Sequence, residues 1–297
     1  MELQLAKPFI QNLPSFSNHK IIVDVLRLDV IHPIVSGNKW YKLQCYLQDA
    51  IDKNFKTVVT FGGAFSNHIV ATAFACKQFN LKSIGIIRGE ESANLSHTLQ
   101  QCKAYGMELQ FVSREAYKNK TAIANSLNDN EFYVIDEGGF GLLGAKGAAT
   151  ILNQVDTKKY THIICACGTG TMLAGIVNAA QSHQKIIGIN ALKGYENIGE
   201  DIAKILDKSS SKKLFTILNN YHFGGYAKHP VELINWMNEL WKKEKLPTDI
   251  VYTAKLFFAL KDLINSNYFG NNTSVLAIHS GGLQGNLSLP VGILDFH

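Results

Sequence analysis

The stretch THIICACGTGTMLAGIVNAAQ, residues 161–181, decides the fold. It begins with an apolar run typical of a buried strand, passes through a loop rich in glycine and threonine, and continues as a helix. Glycine lets a backbone approach a ligand closely, and free amide hydrogens at a helix start suit a phosphate. The loop matches neither the dinucleotide fingerprint nor the nucleotide P-loop, so we predict phosphate binding without a nucleotide. A tight strand-to-helix turn without a ligand is the alternative.

Strand and helix signals alternate along most of the chain. Six further strand signals, TVVTF, SIGIIRG, ELQFVS, FYVID, KIIGINAL and SVLAIH, begin at residues 57, 83, 108, 132, 185 and 274. Strands separated by helices predict right-handed βαβ units, hence an α/β fold with mostly parallel sheets flanked by helices. Four of the strand signals fall between residues 45 and 145, so we predict a smaller domain over this range. Residues 1–44 and 146–297 would form a larger one.

The composition is that of a compact folded chain. Its 297 residues are 46% hydrophobic and 18% charged, which suffices for a large core and two domains. The net charge of +5 comes without a basic stripe, so we predict no nucleic-acid partner. No apolar run is long enough for a membrane span, and the N-terminus lacks a signal-peptide pattern. The cysteines and histidines lack metal-ligand spacing, so we expect a cytoplasmic protein without a metal.

Three more unusual segments follow predicted strands, where doubly wound folds collect their ligands. They are GGAFSNH (62–68), EGGFGLLGAKG (137–147) and SGG (280–282). In the first, Ser66 and Asn67 have the character of ordinary helix N-caps. Capping needs one polar residue, however, and the run of three also suggests contacts to an anion. Both interpretations stay open for this segment.

The segment SGNKWYKL, residues 36–43, contains two lysines three apart. The ordinary interpretation is two surface charges, since a lysine is rarely catalytic. Lysine is nevertheless the side chain that forms a Schiff base with a carbonyl cofactor. With a phosphate loop that lacks nucleotide signatures, the pattern points to pyridoxal 5′-phosphate (PLP).

Together these segments resemble the 1-aminocyclopropane-1-carboxylate deaminase and D-cysteine desulfhydrase family, PLP enzymes of the tryptophan-synthase-β-like group. The resemblance implies the two-domain fold type II, with the cofactor in the cleft between the domains, and a homodimer. Seven segments carry it, in family order and over nearly the whole chain: GNKWYKL (37–43), GGAFSNH (62–68), GGFGLLGAKG (138–147), GTGTMLAG (168–175), GGYA (224–227), VYTAK (251–255) and HSGG (279–282).

The resemblance also implies which residues bind the cofactor. Lys39 would form the Schiff base, and Lys42 would lie near the phosphate. Asn67 would bind the 3′-oxygen of the ring, and Ser280 would place its hydroxyl against the pyridine nitrogen. The phosphate loop would comprise Gly168, Thr169, Gly170 and Thr171.

Further residues are assigned to the substrate by the same resemblance. Ser66, Asn67 and His68 would hold the carboxylate of a small amino acid at a helix N-terminus. Tyr252 would stand over the ring, with Tyr226 close to the reacting groups. The predicted catalytic residues are Lys39, Ser66, Tyr226 and Tyr252.

The implied activity is a PLP-dependent α,β-elimination like that of D-cysteine desulfhydrase, giving a keto acid and ammonia, with sulfide from D-cysteine. A 1-aminocyclopropane-1-carboxylate deaminase and a catalytically idle PLP-binding paralogue are the alternatives. Thr253 and His68 favour the desulfhydrase, since the deaminases carry glutamate and glutamine there. With Ser280 also neutral, the ring is a weaker electron sink. Phe65 and Tyr41 depart from the family pattern near the expected pocket, so the substrate can differ from both.

Overall fold

A computed structural model describes residues 3–127, 131–210 and 215–296. Within these ranges the strands form two separate sheets with α-helices packed on them. The strands are β1 (Phe9–Asn12), β2 (Ile21–Arg27), β3 (Thr57–Gly62), β4 (Lys82–Arg88), β5 (Glu108–Val112), β6 (Phe132–Ile135), β7 (His162–Cys167), β8 (Lys185–Asn190), β9 (Phe215–Leu218) and β10 (Thr273–His279).

The helices of the described residues mostly follow strands, as βαβ connections require. Short 3₁₀ turns complete the connections, among them Glu137–Gly139 after β6 and Leu283–Ser288 after β10. The α-helices are α1 (Asn38–Asp52), α2 (Asn67–Gln78), α3 (His97–Ala104), α4 (Lys120–Asn125), α5 (Leu142–Ala149), α6 (Thr171–Ala179), α7 (Ile198–Lys204), α8 (Val231–Glu244) and α9 (Thr253–Asn265).

The two sheets are almost entirely parallel. The smaller has the order β5-β4-β3-β6, with every neighbouring pair parallel. The larger has the order β1-β2-β10-β7-β8-β9, in which only the β1–β2 pair is antiparallel. The predicted fold, a mixed α/β structure with parallel sheets flanked by helices, is therefore confirmed.

Three strands of the larger sheet were not predicted, and the reasons are physical. β1 and β9 are four-residue edge strands, too short for a clear pattern. β2 lies inside the sheet, but Asp24 interrupts its apolar run. Asp24 is nevertheless buried, since Asn12 Nδ2, Lys159 Nζ and the Tyr160 hydroxyl donate to its carboxylate at 2.7–2.9 Å. These partners of Asp24 lie on other segments of the chain, so the pattern around Asp24 does not reveal them.

The predicted domain boundaries, after residues 44 and 145, fall inside α1 and α5. These helices pack against each other and against α6 with small residues at the contacts. A Cβ on Gly147 would lie 2.0 Å from the Tyr41 carbonyl oxygen, and one on Gly175 would lie 2.6 Å from that of Ala145. We propose that the boundary between the two domains runs through this packed group of helices.

Replacing Gly147 with alanine should destabilise the protein, because the methyl group would overlap the α1 backbone. We expect a loss of about 1 to 3 kcal/mol in the free energy of unfolding, the usual cost of overpacking. The measurement is equilibrium denaturation in guanidinium chloride. Gly199→Ala is the matched control, since its Cβ would meet only Ile217 Cδ1 at 3.8 Å. If both variants unfold at the wild-type denaturant concentration, the close α1–α5 contact is wrong.

Candidate active site

Loops at the carboxyl ends of strands from both sheets open into one cavity of about 520 Å³. Its walls come from the first turn of α1 and from the segments that follow β3, β6, β7 and β10. Phe65 lines this cavity, whereas Tyr41 is buried in the core and does not. All twelve predicted site residues line it: Lys39, Lys42, Ser66, Asn67, His68, Gly168, Thr169, Gly170, Thr171, Tyr226, Tyr252 and Ser280.

The segment before α1 lies directly against the segment after β10. Gly37 has φ of +62°, and a Cβ on it would lie 1.8 Å from the carbonyl oxygen of Ser280. The backbone N–H of Asn38 donates to the same oxygen at 3.1 Å. Only glycine allows this approach, which places Lys39 and Ser280 in the same wall of the cavity.

Two lysine amines project into the cavity from α1. Lys39 Nζ donates to Asn38 Oδ1 at 2.7 Å, and burial lowers its pKa to about 8 even though Asp249 acts in the opposite direction. Lys42 Nζ donates to the carbonyl oxygen of Gly138, and burial, followed by repulsion from Lys39, holds its pKa well below the usual value. A lowered pKa makes the neutral, nucleophilic amine of Lys39 available near physiological pH. An anionic ligand would stabilise the protonated form of either amine, so the pair favours an anion in this part of the cavity.

Polar atoms at the start of α2 lack partners among the described residues. Ser66 caps the helix by accepting from the Ile69 N–H at 3.4 Å. Asn67 Nδ2 donates to the carbonyl oxygen of Gly282 at 3.4 Å, but its Oδ1 is buried without a hydrogen bond, as is His68 Nδ1. Buried polar atoms are rarely left unpaired, and an exception inside a cavity indicates a ligand.

Hydrogen bonding determines which ring nitrogen of His68 carries the proton. The Thr60 hydroxyl donates to the Ile135 carbonyl oxygen at 2.8 Å, so it accepts from Nε2–H of His68 at 2.9 Å. Burial, followed by Lys42 and Lys39, holds the pKa of His68 well below its usual value. The ring is therefore neutral, and Nδ1 is an acceptor. A substrate carboxylate in this part of the cavity would be held by backbone N–H groups of α2.

The glycine loop between β7 and α6 has the form expected of an anion site. Gly170 adopts a left-handed conformation with φ of +80°, and α6 begins at Thr171. The hydroxyls of Thr169 and Thr171 lie 2.9 Å apart. A Cβ on Gly138 would lie 2.8 Å from Thr169 Cγ2, so the loop after β6 closes over this turn. The first amides of α6, the two hydroxyls and the nearby amine of Lys42 suit a phosphate.

Two tyrosines lie together in the wall of the cavity, and a Cβ on Gly168 would lie 3.0 Å from the Tyr252 hydroxyl. Tyr252 directly precedes α9, and Tyr226 lies in a loop between β9 and α8. Their rings are 6.5 Å apart and nearly perpendicular. Burial raises the pKa of Tyr252 well above its usual value, and that of Tyr226 is raised mainly by the same cause. Both phenols are therefore protonated at neutral pH and act as O–H donors.

One carboxylate behind the cavity was not identified from the sequence. Asp249 is fully buried and accepts from the backbone N–H groups of Val251, Tyr252 and Thr253 at 2.8–2.9 Å. The Thr253 hydroxyl also donates to it at 2.6 Å. Asp249 therefore holds the turn that carries Tyr252, and the hydroxyl of Thr253 is directed away from the cavity. In the sequence, Asp249 could have been found from its position three residues before Tyr252.

A buried lysine was also missed. Lys255 is fully buried in α9, and its Nζ donates to the carbonyl oxygens of Gly225 at 2.7 Å and Ala191 at 3.3 Å. Burial lowers its pKa to about 8. Because Gly225 precedes Tyr226, this amine ties the Tyr226 loop to the helix that follows Tyr252. In the sequence, Lys255 could have been noticed as a charged residue within an otherwise apolar helical segment.

The described residues contain no group of three or more histidine, cysteine, aspartate or glutamate side chains that could hold a metal ion. Across the same part of the chain, none of the helices combines the length and apolar character that a membrane crossing requires.

A half-buried lysine nucleophile, a glycine loop at a helix N-terminus and unpaired acceptors line one cavity, and together they define a site for a phosphorylated carbonyl cofactor. The sequence pattern of the pyridoxal-phosphate dependent enzymes matches residues 10–281, and the chain belongs to this family. It is therefore a PLP-dependent enzyme, as the residues in the cavity predict.

Individual relatives place the chain more narrowly. It is 31% identical over 303 residues to a Pyrococcus abyssi protein provisionally named a 1-aminocyclopropane-1-carboxylate deaminase, covering 93% of this chain and 89% of the relative. It is 26% identical to the bifunctional D-cysteine desulfhydrase/1-aminocyclopropane-1-carboxylate deaminase of Arabidopsis thaliana, covering 92% and 75%. A solved structure of an ACC deaminase homologue superimposes with a TM-score of 0.83 at 28% identity, covering 96% and 92%.

In protein freed of cofactor, Lys39 should react with acetic anhydride at a rate that rises through about pH 8. An ordinary lysine has a pKa of 10.5, and burial of the Lys39 amine lowers this value. Labelling at a series of pH values, followed by mass spectrometry of the Lys39 peptide, measures the midpoint. The control is the same peptide in denatured protein, which should titrate as an ordinary lysine. A midpoint in folded protein equal to that control would refute the enclosed amine.

Proposed function

We propose that this enzyme catalyses α,β-elimination from a small β-substituted D-amino acid, as a D-cysteine desulfhydrase does. The products are a keto acid and ammonia, with sulfide when the substrate is D-cysteine. The observation that carries the proposal is the neutral environment offered to the ring nitrogen: Ser280 lines the cavity, while the hydroxyl of Thr253 is bound to Asp249 outside it.

The chain's own residues would hold the cofactor at both ends. When bound, PLP supplies an electron-withdrawing ring that acidifies the α-carbon of an attached amino acid. Lys39 is the attachment point, because its amine is the nucleophile with a pKa near 8. The amides and hydroxyls of residues 168–171, with Lys42, bind the phosphate. Asn67 and the Ser280 hydroxyl orient the ring.

The remaining groups act on the substrate. Ser66 and the backbone N–H groups at the start of α2 hold its carboxylate, which fixes the α-carbon relative to the ring. Lys39, once displaced, takes the α-proton with its neutral amine. Tyr252 would lie against the ring of the bound cofactor, and Tyr226 would place a protonated phenol near the departing group. Both phenols are protonated at neutral pH, since an ordinary tyrosine has a pKa of about 10 and the pKa of each is raised further.

The neutral ring environment separates elimination from cyclopropane opening. The cyclopropane substrate has no α-hydrogen, so opening it requires a strong electron sink in the cofactor. A carboxylate near the pyridine nitrogen would strengthen that sink, because it stabilises the proton on this nitrogen. The oxygens of Asp249 are bound by backbone N–H groups and by the Thr253 hydroxyl, and Glu137, which lines the cavity, is paired with Lys120. Elimination tolerates the weaker sink because a good leaving group departs.

A 1-aminocyclopropane-1-carboxylate deaminase is the second candidate. The names of the Pyrococcus abyssi and Arabidopsis thaliana relatives support it, and the latter is named for both activities. A catalytically idle paralogue is the third, and the enclosed amine of Lys39 together with both tyrosines argues against it.

The test is a panel of D-cysteine, L-cysteine, β-chloro-D-alanine and 1-aminocyclopropane-1-carboxylate, scored for keto-acid and ammonia release. We expect turnover of the β-substituted D-amino acids and none of the cyclopropane. Lys39→Ala should lower the rate by on the order of 10²–10⁴, the range for a lost general base. Faster consumption of the cyclopropane than of every other compound would establish the deaminase instead. A cofactor-loaded protein inert toward the whole panel would establish the idle paralogue.

We also propose a homodimer that works in the cytoplasm. The family resemblance supports the dimer, as do exposed apolar side chains near the C-terminus, with Leu287 47% and Val291 94% exposed. Its five cysteines are all free, which suits a reducing compartment. Fractionation of cells followed by sedimentation of the cytosolic fraction should find the protein there at twice the 32.9 kDa chain mass. A monomeric mass would refute the homodimer, and recovery in another fraction would refute the cytoplasmic location.

A further inference from the structure

An arginine at the mouth of the cavity has no role in the mechanism above. Arg88 is the last residue of β4 and lines the cavity. A Cβ on Gly63 would lie 3.5 Å from Nη2 of Arg88. Gly63 begins the loop that leads into α2, where the substrate carboxylate is proposed to bind. The guanidinium therefore stands beside the substrate's position, on the solvent side.

Within residues 3–127, 131–210 and 215–296, the side chain of Arg88 has neither a hydrogen bond nor an ion pair. Its guanidinium carbon lies 5.6 Å from the centre of the Tyr117 ring, which is a cation–π contact. The other charges at the mouth are already paired, since Lys120 Nζ lies 2.8 Å from Glu137 Oε2. Arg88 is exposed, and none of the described residues accepts from its five N–H donors or pairs with its charge.

The contact with Tyr117 explains where the guanidinium sits but not what it binds. A cation over an aromatic face contributes about 0.5 to 1 kcal/mol at an exposed site and leaves the N–H groups in the plane free. The guanidinium is also close enough to lower the pKa of Tyr226, against the raising effects of burial and of Asp249. Arg88 and Tyr226 line the same cavity, and Tyr226 is the residue proposed to lie near the departing group of the substrate.

We propose that Arg88 recognises a negatively charged group at the distal end of the substrate side chain. The substrate class is then an amino acid whose β-substituent carries a carboxylate, sulfate or phosphate. Arginine binds such groups through two parallel N–H donors. This inference rests on the proposed function and narrows it, because a neutral thiol alone leaves Arg88 without a partner.

The test compares two isosteric ligands that differ in distal charge, D-aspartate and D-asparagine, together with their L-forms. Calorimetric titration of the cofactor-loaded protein gives dissociation constants without requiring elimination. The wild type should bind the aspartate form roughly five- to tenfold more tightly than the asparagine form, as expected for a partly exposed bidentate pair. Arg88→Gln should bind the two equally. Arg88→Lys should retain part of the preference, since it keeps the charge and loses the fork.

Arg114→Gln is the matched control. Arg114 is exposed, and its Nε lies 4.0 Å from the position of a Cβ on Gly89, but it does not line the cavity. This variant removes the same charge from the same edge of the sheet and should keep the wild-type preference. If Arg88→Gln keeps that preference, or Arg114→Gln loses it equally, the assignment to Arg88 is wrong.

The outcome is independent of the elimination assay. If the keto-acid panel fails while aspartate binding depends on Arg88, the proposed reaction is wrong and the anion site is supported. If the panel succeeds while the wild type binds both isosteres equally, the reaction stands and the anion site is refuted.

Discussion

The approach of Gly37 to the Ser280–Gly281 backbone is the contact on which the active site depends. A side chain at residue 37 would overlap the Ser280 carbonyl, and one at residue 281 would come within 2.8 Å of the Gly37 backbone. Both glycines have positive φ. This mutual fit brings the beginning of α1 onto the end of β10, so the lysine segment and the C-terminal glycine segment form one wall. Much of the rest of the cavity is lined by segments that follow parallel strands, and the turn before α9 adds Tyr252.

The electrostatics of the site follow from that enclosure. Burial lowers the pKa values of Lys39, Lys42 and Lys255, because an ammonium group loses its hydration inside the protein. His68 is neutral for the same reason, with the lysines adding to the effect. Asp249 partly opposes the shifts of Lys39 and Lys255. The result is a cavity with reactive neutral amines and an affinity for anions, which suits a phosphorylated cofactor that carries its own negative charge.

Local pattern predicted much of this architecture. The seven predicted strands are present because six are largely apolar or β-branched runs, and the seventh, β5, alternates polar and apolar residues as an edge strand does. The loop at residues 168–171 was found for the same reason, since strand, glycine loop and helix are contiguous. β2 was missed because Asp24 breaks its pattern, and the partners that allow its burial come from distant segments. Tyr41 was placed near the pocket by its distance from Lys39 along the chain, but it lies on the core side of α1.

The sequence by itself determined the α/β class, the family and the segments that line the site, because these are encoded in short stretches of neighbouring residues. Only the tertiary structure decided which polar groups remain free to act. It directs the Thr253 hydroxyl to Asp249, assigns the His68 proton through Thr60 and uses Lys255 to hold the Tyr226 loop. It also leaves Arg88, at the mouth, without a hydrogen bond or ion pair to any residue that the structure describes. The physical reason is that a side chain's reactivity depends on its hydrogen-bond partners and burial, and most of these come from residues far apart along the chain.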